Sequence, residues 1–200
     1  MKIGPRAEIA YREIKKRLLA GIIKPGQQLD APILADELNI SQTPVRDALH
    51  VLTGEGLIVT GTGGGFYASH IDIPHFRDLY GWNAQILKLA LDGSKMEPDG
   101  QFSPDKAPQE SSVDSIARAF LLIARRSPNS QHAEEIRSIN EKLSTARHVE
   151  INLFTDVKHE IRGIWEAIAD GDKPSLHKRI KYYHKRRQDA SVDIIRAIFH

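Results

Sequence analysis

The 200-residue chain contains no cysteine. That removes any disulfide framework and any thiol nucleophile, and it fits a reducing compartment such as the cytoplasm. No long apolar run opens the N-terminus, so a signal peptide or membrane span is not expected. Charge of one sign is also scarce: the net charge is +2, and Lys and Arg nearly balance Asp and Glu over the first seventy residues. A nucleic-acid binder of this composition depends on a few placed contacts, doubled in a dimer, and not on a broad basic field. Internal repeats are lacking, and the C-terminal half lacks strand signals. A length of 200 residues accommodates one or two domains with real cores.

What is present is sharpest between Ile40 and Leu57. Ser41 is placed as an N-cap, and Pro44 lies in the opening turn, where its missing N–H costs nothing. Val45, Ala48, Leu49 and Leu52 recur at helical spacing and face a core. Gln42, Thr43, Arg46 and His50 are left on the outer side. Amide, hydroxyl and guanidinium groups at the start of a short capped helix suit a recognition helix that reads base edges in a major groove. Gly54-Glu55-Gly56 ends it.

The flanks complete a unit. Ala31 to Leu38 reads as a short helix with Ile33, Leu34 and Leu38 apolar, and Asn39 is the turn residue. Ala7 to Ala20 reads as a first helix, with Ile9, Ala10, Ile14, Leu18 and Leu19 on one side. Pro25-Gly26 turns the chain. After the recognition helix, Leu57–Thr60 and Phe66–Ser69 read as two strands around Gly61-Thr62-Gly63-Gly64-Gly65, a loop able to take positive φ and to approach another surface closely. The order is helix, helix, recognition helix, β-wing. The expected class is mainly α: a winged helix-turn-helix over residues 1–70, then an all-α helical bundle over residues 75–200.

These residues resemble a family. Lys24-Pro25-Gly26-Gln27-Gln28-Leu29, Leu34-Ala35, Ser41 to Leu49 and Gly54-Glu55-Gly56-Leu57 look like the N-terminal domain of the GntR family of bacterial transcription regulators, over roughly residues 7 to 70. Several spaced motifs in order make this more specific than a lone helix-turn-helix pattern. The resemblance implies a DNA-binding head, an effector-sensing or dimerising C-terminal domain, and a homodimer on a palindromic operator, expected to repress. Two departures stand out. The family's acidic-basic-acidic run before Leu34-Ala35 is Ala31-Pro32-Ile33 here, and its usual Arg after the capping Ser is Gln42. Arg suits guanine and Gln suits adenine, so the operator is expected to differ from that of typical members. The expected DNA contacts are Ser41, Gln42, Thr43, Arg46 and His50, with Thr62, Gly63 and Gly64 of the wing.

Ile71–Pro74 reads as a linker and Phe76 to Leu91 as one helix, with Leu79, Ile86, Leu87 and Leu89 apolar. Gly93 to Ser112 is rich in Gly, Pro, Ser, Asp and Gln and reads as a loop. Three or four helices follow: Val113–Arg126, Gln131 to about Glu150, Asn152–Ala169, and Ser175 to about Ile198. Trp82 and Trp165 are expected in the core, and His132, His148 and His177 on the surface.

The helical half has its own, weaker resemblance. Ser127-Pro128-Asn129, His159-Glu160-Ile161, Ala167-Ile168 and Gly171-Asp172 look like the FadR-type C-terminal domain of the same family. Many such domains hold a divalent metal, of zinc or nickel type, on one Asp and three His, and the metal helps bind a small carboxylate effector. Here His159 matches one ligand, and the last falls at Tyr183 or His184. The Asp and His of the earlier helix land on Ile116 and Phe120, so two ligands are missing and a hydrophobic core is expected in their place. His159 is expected as a buried or half-buried histidine hydrogen-bonded within the bundle. The domain is also short: Gly93–Ser112 stands where typical members have another helix, which reduces the room for an effector pocket.

The last helix is the most basic segment, with Lys173, Lys178, Arg179, Lys181, Lys185, Arg186, Arg187 and Arg196 facing only Asp189 and Asp193. A solvated face is the simpler reading, and phosphate or anion contact the sharper one. Three functions are weighed: a dimeric DNA-binding regulator without enzyme activity, a metal-dependent enzyme on the helical half, and a winged helix used only for protein contacts. The spaced head motifs favour the first, and paired metal ligands and a nucleophile motif are lacking for the second.

Overall fold

A computed structural model describes residues 3–97 and 112–199. They form two compact units. One is bounded by Ile71 and takes in Ile198 and Phe199, and the other is Asp72–Ala197.

The first unit is built on three helices and a small sheet. Helix α1 is Pro5–Leu19, α2 is Ala31–Leu38 and α3 is Gln42–Gly54. Asp30 caps α2 by accepting from the Ile33 N–H, and Asn39 ends it in the left-handed region, at φ 53°. Ser41 occupies the N-cap of α3 in extended conformation but makes no side-chain capping bond, so its hydroxyl is not used within the helix. The wing strands are β2 (Ile58–Thr60) and β3 (Phe66–Ala68). A strand not expected from the sequence, β1 (Gln28–Leu29), pairs antiparallel with β3, giving the order β1-β3-β2. Two residues carry too little alternation to read as a strand, and only the pairing of Gln28 with Tyr67 and Leu29 with Phe66 defines it.

The core of this unit joins Ile14, Leu34, Val45, Leu49, Leu52 and Phe66. Ile9 and Ile33, expected on apolar faces, are 57% and 58% exposed. Ala7 and Ala10 turn inward in α1, and Ala31 and Ala35 in α2. Close helix packing there favours the small side chains over the large ones.

The second unit is helical among its described residues. Helix α4 (Ile73–Gly93) starts earlier than expected: Asp72 accepts from the His75 N–H as its cap, so residues 72–74 belong to this helix and are not a linker. The loop expected over Gly93–Ser112 lies for the most part outside the described residues. Helix α5 is Ser112–Arg125. The expected helix from Gln131 to Glu150 is two, α6 (Gln131–Lys142) and α7 (Ser144–Leu153), which meet at Leu143 with φ −90° and ψ 0°. The expected helix from Asn152 starts at Val157 as α8 (Val157–Ala169), because Phe154 takes extended conformation. The last helix is also divided at Ala190, into α9 (Lys173–Asp189) and α10 (Ser191–Ile198). Helix α4 packs on α5, α6 and α9, and α8 packs on α5 and α9. Trp165 is buried as expected, whereas Trp82 and Leu89 of α4 are 47% and 54% exposed and are not core residues.

Candidate nucleic-acid interface and the interior of the helical unit

Helix α3, the expected recognition helix, is held along its buried face and at its C-terminal end. Val45, Ala48, Leu49 and Leu52 are fully buried and fix its rotation about its axis. At its C-terminal end Glu55 accepts from the Tyr11 hydroxyl at 2.7 Å and from the Lys15 ammonium at 2.8 Å, which ties α3 to α1. The Gly54-Glu55-Gly56 exit thus supplies a positioning carboxylate as well as a stop. With that rotation fixed, Gln42, Thr43, Arg46 and His50 all lie exposed, at i, i+1, i+4 and i+8.

The wing meets the same helix. The His50 ring stands edge-on to Phe66 of β3, with centroids 5.1 Å apart. Beyond it the loop turns on itself, with the Gly64 N–H donating to the Gly61 carbonyl and the Gly61 N–H to the Gly65 carbonyl. Gly64 has φ +83°, which only glycine takes without strain. A Cβ on Gly61 would lie 2.6 Å from the Tyr67 ring, so the glycine there lets the ring fold against the loop. Thr62, Gly63 and Gly64 are exposed at the tip. Tyr67 and Gln28, whose amide nitrogen also lies beside Gly65, form the base of the wing. The sequence reading missed both, and the alternation of Tyr67 between Phe66 and Ala68 was the available signal.

The interior of the helical unit differs from the expected histidine site. His159 is exposed in the first turn of α8, and its neighbour Glu160 turns inward instead. His184 is 2% exposed. The two rings therefore do not share a pocket. Ile116 and Phe120 are fully buried, and Phe120 stacks on His184 with centroids 5.3 Å apart. Among the described residues no group of three or more His, Asp or Glu side chains could hold a metal ion.

What fills the space is a buried polar cluster. The Arg187 Nε donates to Glu150 Oε2 at 2.9 Å, and its Nη1 lies 2.6 Å from Glu160. The Tyr80 hydroxyl donates to the other Glu150 oxygen. Burial, with the Glu150 charge beside them, raises Tyr80 well above the usual phenol range and Tyr183 to about 12. Burial also lowers His184 to about 3, so its ring is neutral at physiological pH. Its Nδ1 donates to the Ile180 carbonyl at 2.7 Å, which leaves Nε2 as an acceptor 2.7 Å from the Asn83 amide. A neutral ring is satisfied there when the amide turns its NH2 group toward it. Arg147 is 2% exposed, donates from Nη1 to Asn140 at 2.8 Å, and leaves Nε and Nη2 without partners. Charged side chains read as surface in sequence, and these were missed for that reason.

A head of helix, helix, recognition helix and wing, followed by a helical unit, defines the class of winged helix-turn-helix regulators. Residues 6–68 match the family model of bacterial regulatory proteins, gntR family, so the head is a gntR-type DNA-binding domain. The chain is 27% identical over 185 residues to the Nta operon transcriptional regulator of Aminobacter aminovorans, spanning 86% of this chain and 88% of that one. The HTH-type transcriptional regulator YdhC of Bacillus subtilis (strain 168), itself uncharacterized, is 26% identical over 82 residues, 41% of this chain and 37% of its own. Among solved structures, a putative GntR transcriptional regulator from Rhodococcus sp. RHA1 aligns with TM-score 0.72 at 16% identity, over 96% of this chain and 98% of that one. E. coli McbR/YncC aligns with TM-score 0.67 at 16% identity, over 99% and 100%. These two likenesses are of fold.

Proposed function

We propose that this gntR-type regulator binds a palindromic operator as a homodimer and represses, with Gln42, Thr43, Arg46 and His50 reading the major groove and Ser41, Thr62, Gly63 and Gly64 at the backbone or minor groove. The observation that carries this is one outward face. Four polar side chains share it, rotation is locked by four buried apolar residues, and a glycine wing abuts it through Phe66. Gln42 in place of arginine favours adenine at the position it reads. Homodimerisation is supported by Trp82 and Leu89, large apolar side chains seven residues apart that α4 leaves exposed. Selection from a randomised duplex library tests the reading. The recovered site should be a palindrome with half-sites about one helical turn apart, roughly 10 base pairs. Recovery of no sequence preference would refute it.

A small organic acid is the effector class this interior favours. The support is Arg147, a buried guanidinium whose hydrogen-bonded partner is a neutral amide and whose Nε–Nη2 edge is free, the edge that takes a carboxylate in two parallel bonds. Thermal shift against small monocarboxylates tests it. A stabilised wild type and an unshifted Arg147→Met are expected, and equal shifts in both would reject the assignment.

A further inference from the structure

We propose that the outer side of α9 carries a second ligand site, separate from Arg147, for an amphipathic organic anion: an apolar, planar body with a carboxylate, sulfonate or phosphate head. A groove of about 630 Å³ runs there between α9 and the chain joining α7 to α8. Its walls are the rings of Phe154 and Tyr182 with Ala190, and its rim is Lys178, Lys181 and Lys185, with Arg186 and the Asp189 carboxylate beside them. This size is in the usual range for small-molecule sites, and an apolar lining with a few charged groups is their usual make-up.

The walls are set before any ligand arrives. Phe154 takes extended conformation where α7 ends, and the Arg186 and Arg187 guanidinium carbons lie 4.4 and 5.0 Å from its ring centroid. Those two cations are themselves neutralised, Arg186 by Asp156 and Arg187 by Glu150 and Glu160. Lys185 is matched by Asp189. Lys178 and Lys181 remain: among the described residues neither has a carboxylate partner, and both are exposed. The groove therefore presents two unmatched cations, one turn apart, above a pair of aromatic rings. Tyr182, 57% exposed, lies next in sequence to Lys181 and supplies a face against which a flat apolar body can stack. An uncharged apolar molecule would leave both ammonium groups unmatched, and a small inorganic anion would leave the rings wet.

The probe is 2-naphthoate, with the neutral isostere 2-naphthamide, titrated calorimetrically into the full-length protein. Saturable binding of one naphthoate per chain at this groove is expected. The amide should bind about tenfold more weakly or worse, as should naphthoate to Lys178→Gln/Lys181→Gln, the loss of roughly one charge-assisted contact. Tyr182→Ser should weaken both probes. Lys178, Lys181 and Tyr182 are all exposed, so melting temperature should not move in either variant and checks that the fold is intact. Arg147→Met should bind naphthoate as the wild type does. Equal affinity for acid and amide would overturn the proposal. So would unchanged affinity in the lysine double variant, no saturable binding up to the solubility limit, or a loss confined to Arg147→Met, which would place the acid in the interior.

Discussion

His50 and Phe66 meet edge to face at 5.1 Å, one from the recognition helix and one from the wing. The contact gives His50 two separable roles, a base or phosphate contact from its polar edge and a brace for the wing from its ring. Aromatic contacts of this kind contribute about 1 kcal/mol beyond area burial. His50→Ala should therefore lower head stability by about that amount and weaken DNA binding. His50→Phe separates the roles. Retained stability with weakened DNA binding is the expected result, and full DNA affinity in His50→Phe would show that the residue only braces.

Arg187 and Glu150 form a second cross-helix pair, and both side chains are buried. Glu150→Gln would leave Arg187 with Glu160, at 2.6 Å, as its one remaining carboxylate, so the cost falls below that of a fully broken buried pair. Glu150→Gln should cost about 1–3 kcal/mol in denaturant unfolding, the loss of a buried hydrogen bond to a charged group. The double variant Glu150→Leu/Arg187→Met should recover much of that loss. A double variant no more stable than Glu150→Gln would mean that Glu160 and Tyr183 depend on the pair more than its charges do.

The buried His184 ties stability to pH. Its ring has a pKa of about 3 when folded, against 6.5 as the ordinary value. Between those values the unfolded chain holds one more proton, so stability falls as pH falls through that window, at on the order of 1 kcal/mol per pH unit for this group alone. Above the upper value the group contributes no slope. Unfolding free energies of wild type and His184→Gln, compared across the window, should differ in slope by about one proton. Parallel curves would contradict a neutral buried ring.

The wing glycines differ in what they require. Gly64 has φ +83° and open space around an added Cβ, so Gly64→Ala should cost backbone strain alone, about 1 kcal/mol. Gly63 meets nothing within 4 Å, and its φ lies outside the positive range. Gly63→Ala should leave the melting temperature unmoved while weakening DNA binding, if the loop approaches the duplex closely. Unchanged DNA affinity in that variant would remove Gly63 from the interface.

The head was legible because its punctuation is local. Ser41, Pro44 and Gly54 bracket α3, and Asn39 marks the preceding turn, so the bounds of α2 and α3 follow from neighbouring residues. The helical half has no such marks at its breaks. Ile139, Leu143, Ala146 and Glu150 are all buried at spacings of four, three and four, so helical periodicity runs straight through the break at Leu143. No glycine or proline interrupts residues 139–150, and tertiary packing alone decides the break. Burial of Arg147, Glu150 and Arg187 was illegible for another reason. Glu150 and Arg187 turn inward because they meet each other, and that partner is 37 residues away; Arg147 turns inward onto a neutral amide, which no charge pattern marks. His159 was expected inside and Glu160 was overlooked, a one-residue error that on a helix rotates the side chain by about 100°.

The central claim is that the exposed face of α3 binds DNA through placed contacts. Its most direct test is the affinity of wild type and Arg46→Ala for the selected duplex, measured by fluorescence anisotropy across a salt series. The wild type should show log affinity falling linearly with log salt, with a slope of several units for a dimer. Arg46→Ala should lose about 1–3 kcal/mol per head while keeping its melting temperature. Wild-type affinity in the variant, or binding insensitive to salt, would contradict the account.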